Sequence, residues 1–103
     1  MNEINPIVKL SKEQWYENLI DDCKSIITEA TFNSRWALVE GYHLLGERIL
    51  QDEENFTKLG YLKMSSYMTT LAESLKISQR TIERAIQFYK KYPNLDLVPE
   101  GKN

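Results

Sequence analysis

Cysteine and histidine are nearly absent from this chain of 103 residues: Cys23 and His43 each stand alone. One thiol excludes an intrachain disulfide and a cysteine zinc cluster within one chain. One imidazole closes off most histidine-rich metal sites. Glycine is scarce, with 4 residues, and none of them makes a phosphate-cradling loop, which sets most nucleotide-dependent chemistry aside. No apolar run approaches the roughly 20 residues that span a bilayer. The opening Met1-Asn2-Glu3-Ile4-Asn5-Pro6 lacks the basic and apolar stretches of a signal peptide. A soluble, cytoplasmic protein of one domain is the expectation, with no membrane partner and no cofactor.

What the chain does have is charge, unevenly placed. The net charge is −2. Residues 1–57 carry five basic side chains against eleven acidic ones, whereas residues 58–92 carry seven basic against two acidic, Glu73 and Glu83. A basic segment beside an acidic one suggests that one part meets a polyanion while the other does something else. The plain alternative is that these lysines and arginines only solvate helix faces.

Hydrophobic periodicity predicts an all-α fold. Residues 1–10 read as a loosely attached arm, followed by Ser11 as an N-cap with Gln14 at the capping-box position. Tyr16, Leu19, Cys23, Ile26 and Ala30 then recur in steps of three and four, widened by Trp15, Ile20 and Ile27. Thr31-Phe32-Asn33-Ser34 weakens helix propensity. A second pattern aligns Leu38, Tyr42, Leu45 and Ile49, with Ala37, Gly41 and Leu44 alongside, and ends near Glu54, where consecutive acids oppose the helix dipole. Residues 11–54 are thus either one kinked helix or a helix hairpin. A continuous rod of roughly 65 Å, at about 1.5 Å per residue, needs a partner helix, most economically from a second copy. A homodimer is expected, with residues 1–57 as the dimerisation or docking region. Close approach of another helix would explain Gly41 and Gly46, with chance occurrence as the alternative.

Residues 56–65 read as a connection turning at Gly60. Two short helical patterns follow, at residues 66–75 and 79–91, the second ended by Pro93. The first would turn Leu71, Ala72 and Leu75 inward, with Ile77 plugging the turn. Ser78 would cap the second, which turns Ile82, Ala85, Ile86 and Tyr89 inward. Two short helices joined by a three-residue turn describe a helix-turn-helix over residues 58–92. Residues 93–103 read as a polar tail or as the cut end of a longer chain.

This segment resembles the helix-turn-helix family of DNA-binding proteins. Leu71 and Ala72 fall where that family has an apolar residue followed by a small one, and Leu75, Ile77, Ile82 and Ala85 fall at its other core positions. Lys76 departs from it, since the family most often has glycine there; a lysine requires a left-handed backbone or a different turn. A narrower resemblance joins Gly46-Glu47-Arg48-Ile49, Leu71-Ala72-Glu73-Ser74-Leu75, Ser78-x-Arg80-Thr81 and the stretch Ala85-Ile86-Gln87-Phe88-Tyr89-Lys90-Lys91-Tyr92-Pro93. It looks like the N-terminal helix-turn-helix domain of phage and mobile-element proteins, some of which carry a PDDEXK-type nuclease at their C-terminal end. No nuclease motif is present here. The resemblance implies a DNA-binding regulator or targeting module, and it does not imply cleavage.

On that footing the second helix exposes Gln79, Arg80, Glu83, Arg84 and Gln87. Arginine can bond guanine O6 and N7, and glutamine adenine N6 and N7, so Gln79, Arg80 and Arg84 are the candidates for base edges in double-stranded DNA. Thr69, Thr70, Ser78 and Thr81 are candidate phosphate contacts through hydroxyls, and Lys63, Lys76, Lys90 and Lys91 through charge. Glu83 would repel phosphates unless it accepts from a cytosine amine or pairs with an arginine. Glu40-x-x-His43 has the spacing of a di-iron ligand pair, yet a complete site needs more carboxylates, so no metal is expected. His43 has no serine or cysteine partner by spacing, which argues against an enzyme. The competing reading is a helical protein-interaction adaptor that binds a protein partner on its acidic helices.

Overall fold

The computed structural model describes residues 10–30 and 35–95. The expected N-terminal arm up to residue 9, the break at residues 31–34 and the end of the tail from residue 96 lie outside the described residues. Within them the chain is helical: α1 Gln14–Ala30, α2 Arg35–Gln51, α3 Glu53–Lys58, α4 Ser65–Leu75 and α5 Gln79–Lys91, with no strand among the described residues.

The hairpin alternative is the one adopted. Gly41 of α2 lies against Ala30 of α1, while Arg48 reaches Asp22 at 2.8 Å. Those pairings run in opposite senses along the two helices, so α1 and α2 are antiparallel and bury each other. The partner that a continuous rod demanded is supplied within the chain. The second glycine does similar work on the other side of α2: a Cβ at Gly46 would overlap the Ala85 carbonyl of α5. Both glycines therefore mark close helix crossings inside one copy. The α2–α5 crossing is the most extensive helix interface.

Two helix starts differ from the expectation. α1 begins at Gln14 and not at Ser11, because the Glu13 carbonyl accepts from the amides of Tyr16 at 3.1 Å and Glu17 at 3.2 Å. Gln14 turns its amide toward Glu17 and Asn18, at 3.3 and 3.1 Å, rather than back to a cap. The stretch after α2 is not a plain connection. α2 stops at Gln51, and Glu53 and Glu54 open the short α3, where a helix N-terminus favours acids. The acids that sat at the wrong end of one helix are at the right end of the next. Phe56 of α3 is fully buried and stacks on Tyr67 of α4, ring centroids 3.8 Å apart and 4° from parallel. Only residues 59–64 connect α3 to α4, with Gly60 at φ +101° making the turn.

The core draws on both charge segments. Tyr16, Leu19 and Cys23 of α1 meet Leu45 and Ile49 of α2, Phe56 of α3, Tyr67, Met68, Leu71 and Leu75 of α4, and Ile82, Ala85 and Ile86 of α5. The change of charge at residues 57 and 58 is thus no packing boundary. The apolar line of α2 is only half used: Leu45 and Ile49 are buried, whereas Leu38 and Tyr42 stay 43% and 39% exposed. Leu44, beside that line, is 46% exposed.

Candidate nucleic-acid interface

The α4–turn–α5 unit is built by three adjacent residues. Lys76 closes α4 in the left-handed conformation, φ 59° and ψ 39°, and its amide donates to the Ala72 carbonyl. The Ile77 amide donates to the same carbonyl at 3.2 Å, and its side chain is half-buried beneath the turn. Ser78 then leaves in an extended conformation, φ −74° and ψ 149°, and its Oγ accepts from the Thr81 amide at 3.1 Å. That bond satisfies one of the amides a helix start leaves open. The left-handed backbone required of Lys76 is therefore adopted, not avoided.

This cap fixes which face of α5 points outward. Ile82, Ala85 and Ile86 are buried, and the opposite face carries Arg80, Arg84, Gln87 and Lys91, spaced four, three and four residues apart and all exposed. No salt bridge engages Arg80 or Arg84 among the described residues. Lys63, Lys76 and Lys90 are exposed as well. Lys90 and Lys91 fall in the last turn of α5, where the helix dipole favours cations.

The hydroxyl-bearing candidates divide. Thr69 is exposed, but Thr70, one residue on, is buried at 6% exposure and leaves the set of candidate phosphate contacts. A helix turns about 100° per residue, so the two adjacent threonines point to different sides, and the core claims Thr70. Ser78 and Thr81 hold each other, with Oγ to Oγ1 at 2.8 Å, and Ser78 is further engaged by its cap. Their first role is to shape the turn.

Gln79 is not a free side chain. Its Oε1 accepts from the Thr69 hydroxyl at 3.0 Å, and its Nε2 donates to Glu83 Oε2 at 3.4 Å. Glu83 therefore faces Gln79, neither of the roles the sequence suggested. Val39 and Tyr42 were missed by sequence reasoning. They reach across from α2 and, with Arg84, Gln87, Phe88 and Lys91, line an open cleft of about 420 Å³. Spacing puts Tyr42 on the apolar line of α2 but does not mark either residue as part of this cleft, because their place in it depends on how α2 crosses α5.

The lone histidine and the lone cysteine both lie in the interior. His43 is buried, and its Nε2–H donates to the Pro93 carbonyl at 3.0 Å, with Tyr89 edge-on at 4.9 Å between ring centroids. This ties the chain after α5 back to α2. Among the described residues no three His, Cys, Asp or Glu side chains form a group that could hold a metal. Burial pushes the Cys23 thiol up to about 12, far from a nucleophilic thiolate at neutral pH. No helix among the described residues is long and apolar enough to cross a membrane. No family model, curated protein or solved structure matches the chain.

Proposed function

We propose that this chain is a non-enzymatic DNA-binding protein of helix-turn-helix type, acting in the cytoplasm as a transcription regulator or as the DNA-targeting module of a mobile-element protein. The observation that supports this reading best is the outward stripe Arg80–Arg84–Gln87–Lys91 on a capped helix, with neither arginine in a salt bridge among the described residues. Side chains of this kind, on the outward face of a helix whose opposite face is packed into the core, suit base edges and phosphates in a major groove. Lys63, Lys76 and Lys90 add charge for the backbone. As a symmetric homodimer the protein would present two such helices about 34 Å apart and prefer a palindromic site.

A second reading is favoured by one specific feature. Leu38, Tyr42 and Leu44 leave α2 with exposed apolar side chains, and a groove of about 150 Å³ opens beside Leu38 and Tyr42. A protein partner docked there would make the chain an adaptor. The two classes separate on salt. Binding to a fluorescent pool of random duplex DNA at about 50 and about 200 mM salt should fall steeply at the higher value if phosphates are neutralised. Arg80→Ala with Arg84→Ala should weaken binding and flatten that dependence while leaving the helical signal intact. Absence of binding at low salt would reject the DNA reading in favour of the adaptor.

A further inference from the structure

Gln79 occupies the first position of α5, and its carboxamide is held from both sides by residues outside its own turn of chain. Thr69, on α4, donates its hydroxyl to Oε1 at 3.0 Å; Glu83, one helical turn on, accepts from Nε2 at 3.4 Å. A carboxylate can only accept, so the amide nitrogen must be the atom that faces Glu83. The oxygen is then the atom that faces Thr69. Of the four hydrogen-bonding positions of the carboxamide, two are used. One N–H and one oxygen lone pair remain.

We propose that Thr69 and Glu83 hold Gln79 as a reader of adenine. The proposal rests on the DNA-binding reading above and deepens it. Adenine presents N7 as an acceptor and N6–H₂ as a donor in the major groove, which is the complement of one N–H beside one lone pair. Guanine presents two acceptors, N7 and O6. A free glutamine can turn both amide hydrogens toward them, but here one hydrogen is committed to Glu83, and the carboxamide oxygen would meet O6. Cytosine offers only a donor and thymine an acceptor beside a methyl group, so each leaves one side of the amide unmatched. Gln79 is the specificity-determining residue; Thr69 and Glu83 are positioning residues. Glu83 thereby has a reason to sit on a face that meets a polyanion.

The test is site selection by the intact chain from random duplex DNA at about 50 mM salt, followed by competition between selected duplexes carrying adenine or guanine at the position in question. Wild type should select one invariant adenine per half-site. Gln79→Ala should lower the adenine-over-guanine preference about tenfold, the scale of one bidentate contact. Thr69→Val removes the hydroxyl at nearly constant shape and should lower that preference severalfold. Thr69→Ser should restore the preference. Binding by wild type with no adenine preference, or an unaltered preference in Gln79→Ala or Thr69→Val, would overturn this inference alone. No retention of random duplex by wild type would overturn the DNA-binding reading and this inference together.

Discussion

Gly46 of α2 lies directly against the backbone carbonyl of Ala85 in α5, with the Ala85 carbonyl carbon 2.8 Å and Tyr89 Cβ 3.0 Å from where a Cβ would stand. A backbone carbonyl cannot swing aside as a long side chain can. The absence of a side chain at position 46 therefore sets how deeply α2 seats on the helix that carries Arg80 and Arg84. Gly46→Ala gains about 1 kcal/mol of helix propensity but forces the helices apart, at a typical overpacking cost of 1–3 kcal/mol or more. Net destabilisation of about 1–2 kcal/mol is expected in urea denaturation. A variant as stable as wild type would show that the crossing yields.

Arg48 joins two carboxylates of unequal burial. Its Nε donates to Asp22 Oδ2 at 2.8 Å and its Nη1 to Asp52 Oδ2 at 2.7 Å, and Asn55 Nδ2 donates to Asp52 Oδ1 at 2.8 Å. The Asp22 side chain is 58% exposed and the Asp52 side chain only 12%. Arg48→Met strands Asp52 in a desolvated place and should lose about 2–3 kcal/mol, at or below the range for breaking a buried pair. Asp22→Asn should lose less than about 1 kcal/mol, as exposed pairs do. Equal losses in the two variants would contradict this division.

Alkaline pH should unfold the protein through groups that burial keeps protonated. Burial raises Cys23 from 9.0 to about 12, and raises Tyr67 from 10.0 to about 12, with a smaller push from Glu53. Each group is neutral in the folded state, so its contribution is complete below its unfolded value. Above that value the unfolded chain releases the proton first, and stability falls until the folded value is passed. The slope approaches about 1.4 kcal/mol per pH unit per group. Thermal unfolding between pH 8 and 11 should show the decline beginning near the ordinary thiol value. Cys23→Ala should delay its onset toward that of tyrosine; an unchanged onset would assign the decline elsewhere. Tyr67→Phe should cost little at neutral pH, since the buried hydroxyl has no hydrogen-bond partner among the described residues.

Lys76 holds a left-handed backbone at φ 59° with a full side chain. Such a conformation costs a non-glycine residue about 1 kcal/mol or more. Lys76→Gly should therefore raise the melting temperature by several degrees, the shift about 1 kcal/mol produces in a domain of this size. A lower melting temperature would mean that the lysine side chain contributes more to the turn than its backbone costs.

The parts legible in the sequence are those decided within a few residues. The Ser78 cap, the ends of α5 and its buried Ile82, Ala85 and Ile86 follow from local hydrogen bonding and helical spacing, and the structure has them where the spacing puts them. At Lys76 the sequence left open a left-handed backbone or a different turn, and the structure adopts the left-handed one. α3 was not legible, because six residues with a single buried aromatic carry no periodicity, and Phe56 declares itself only by stacking on Tyr67. Nor could spacing choose between Thr69 and Thr70: both lie on α4, and what α4 packs against decides which one is covered.

By itself, then, the sequence determined that the chain is helical, where its last two helices begin and end, and which side of α5 is apolar, since each of these is settled by neighbours in the chain. The tertiary structure alone decided that α1 and α2 form a hairpin, that Gly41 and Gly46 serve crossings inside one copy, and that Thr69 of α4 reaches Gln79 of α5. Those relationships join residues on different helices or at different crossings. Their distances are set by the summed packing of the whole core, which no local pattern encodes.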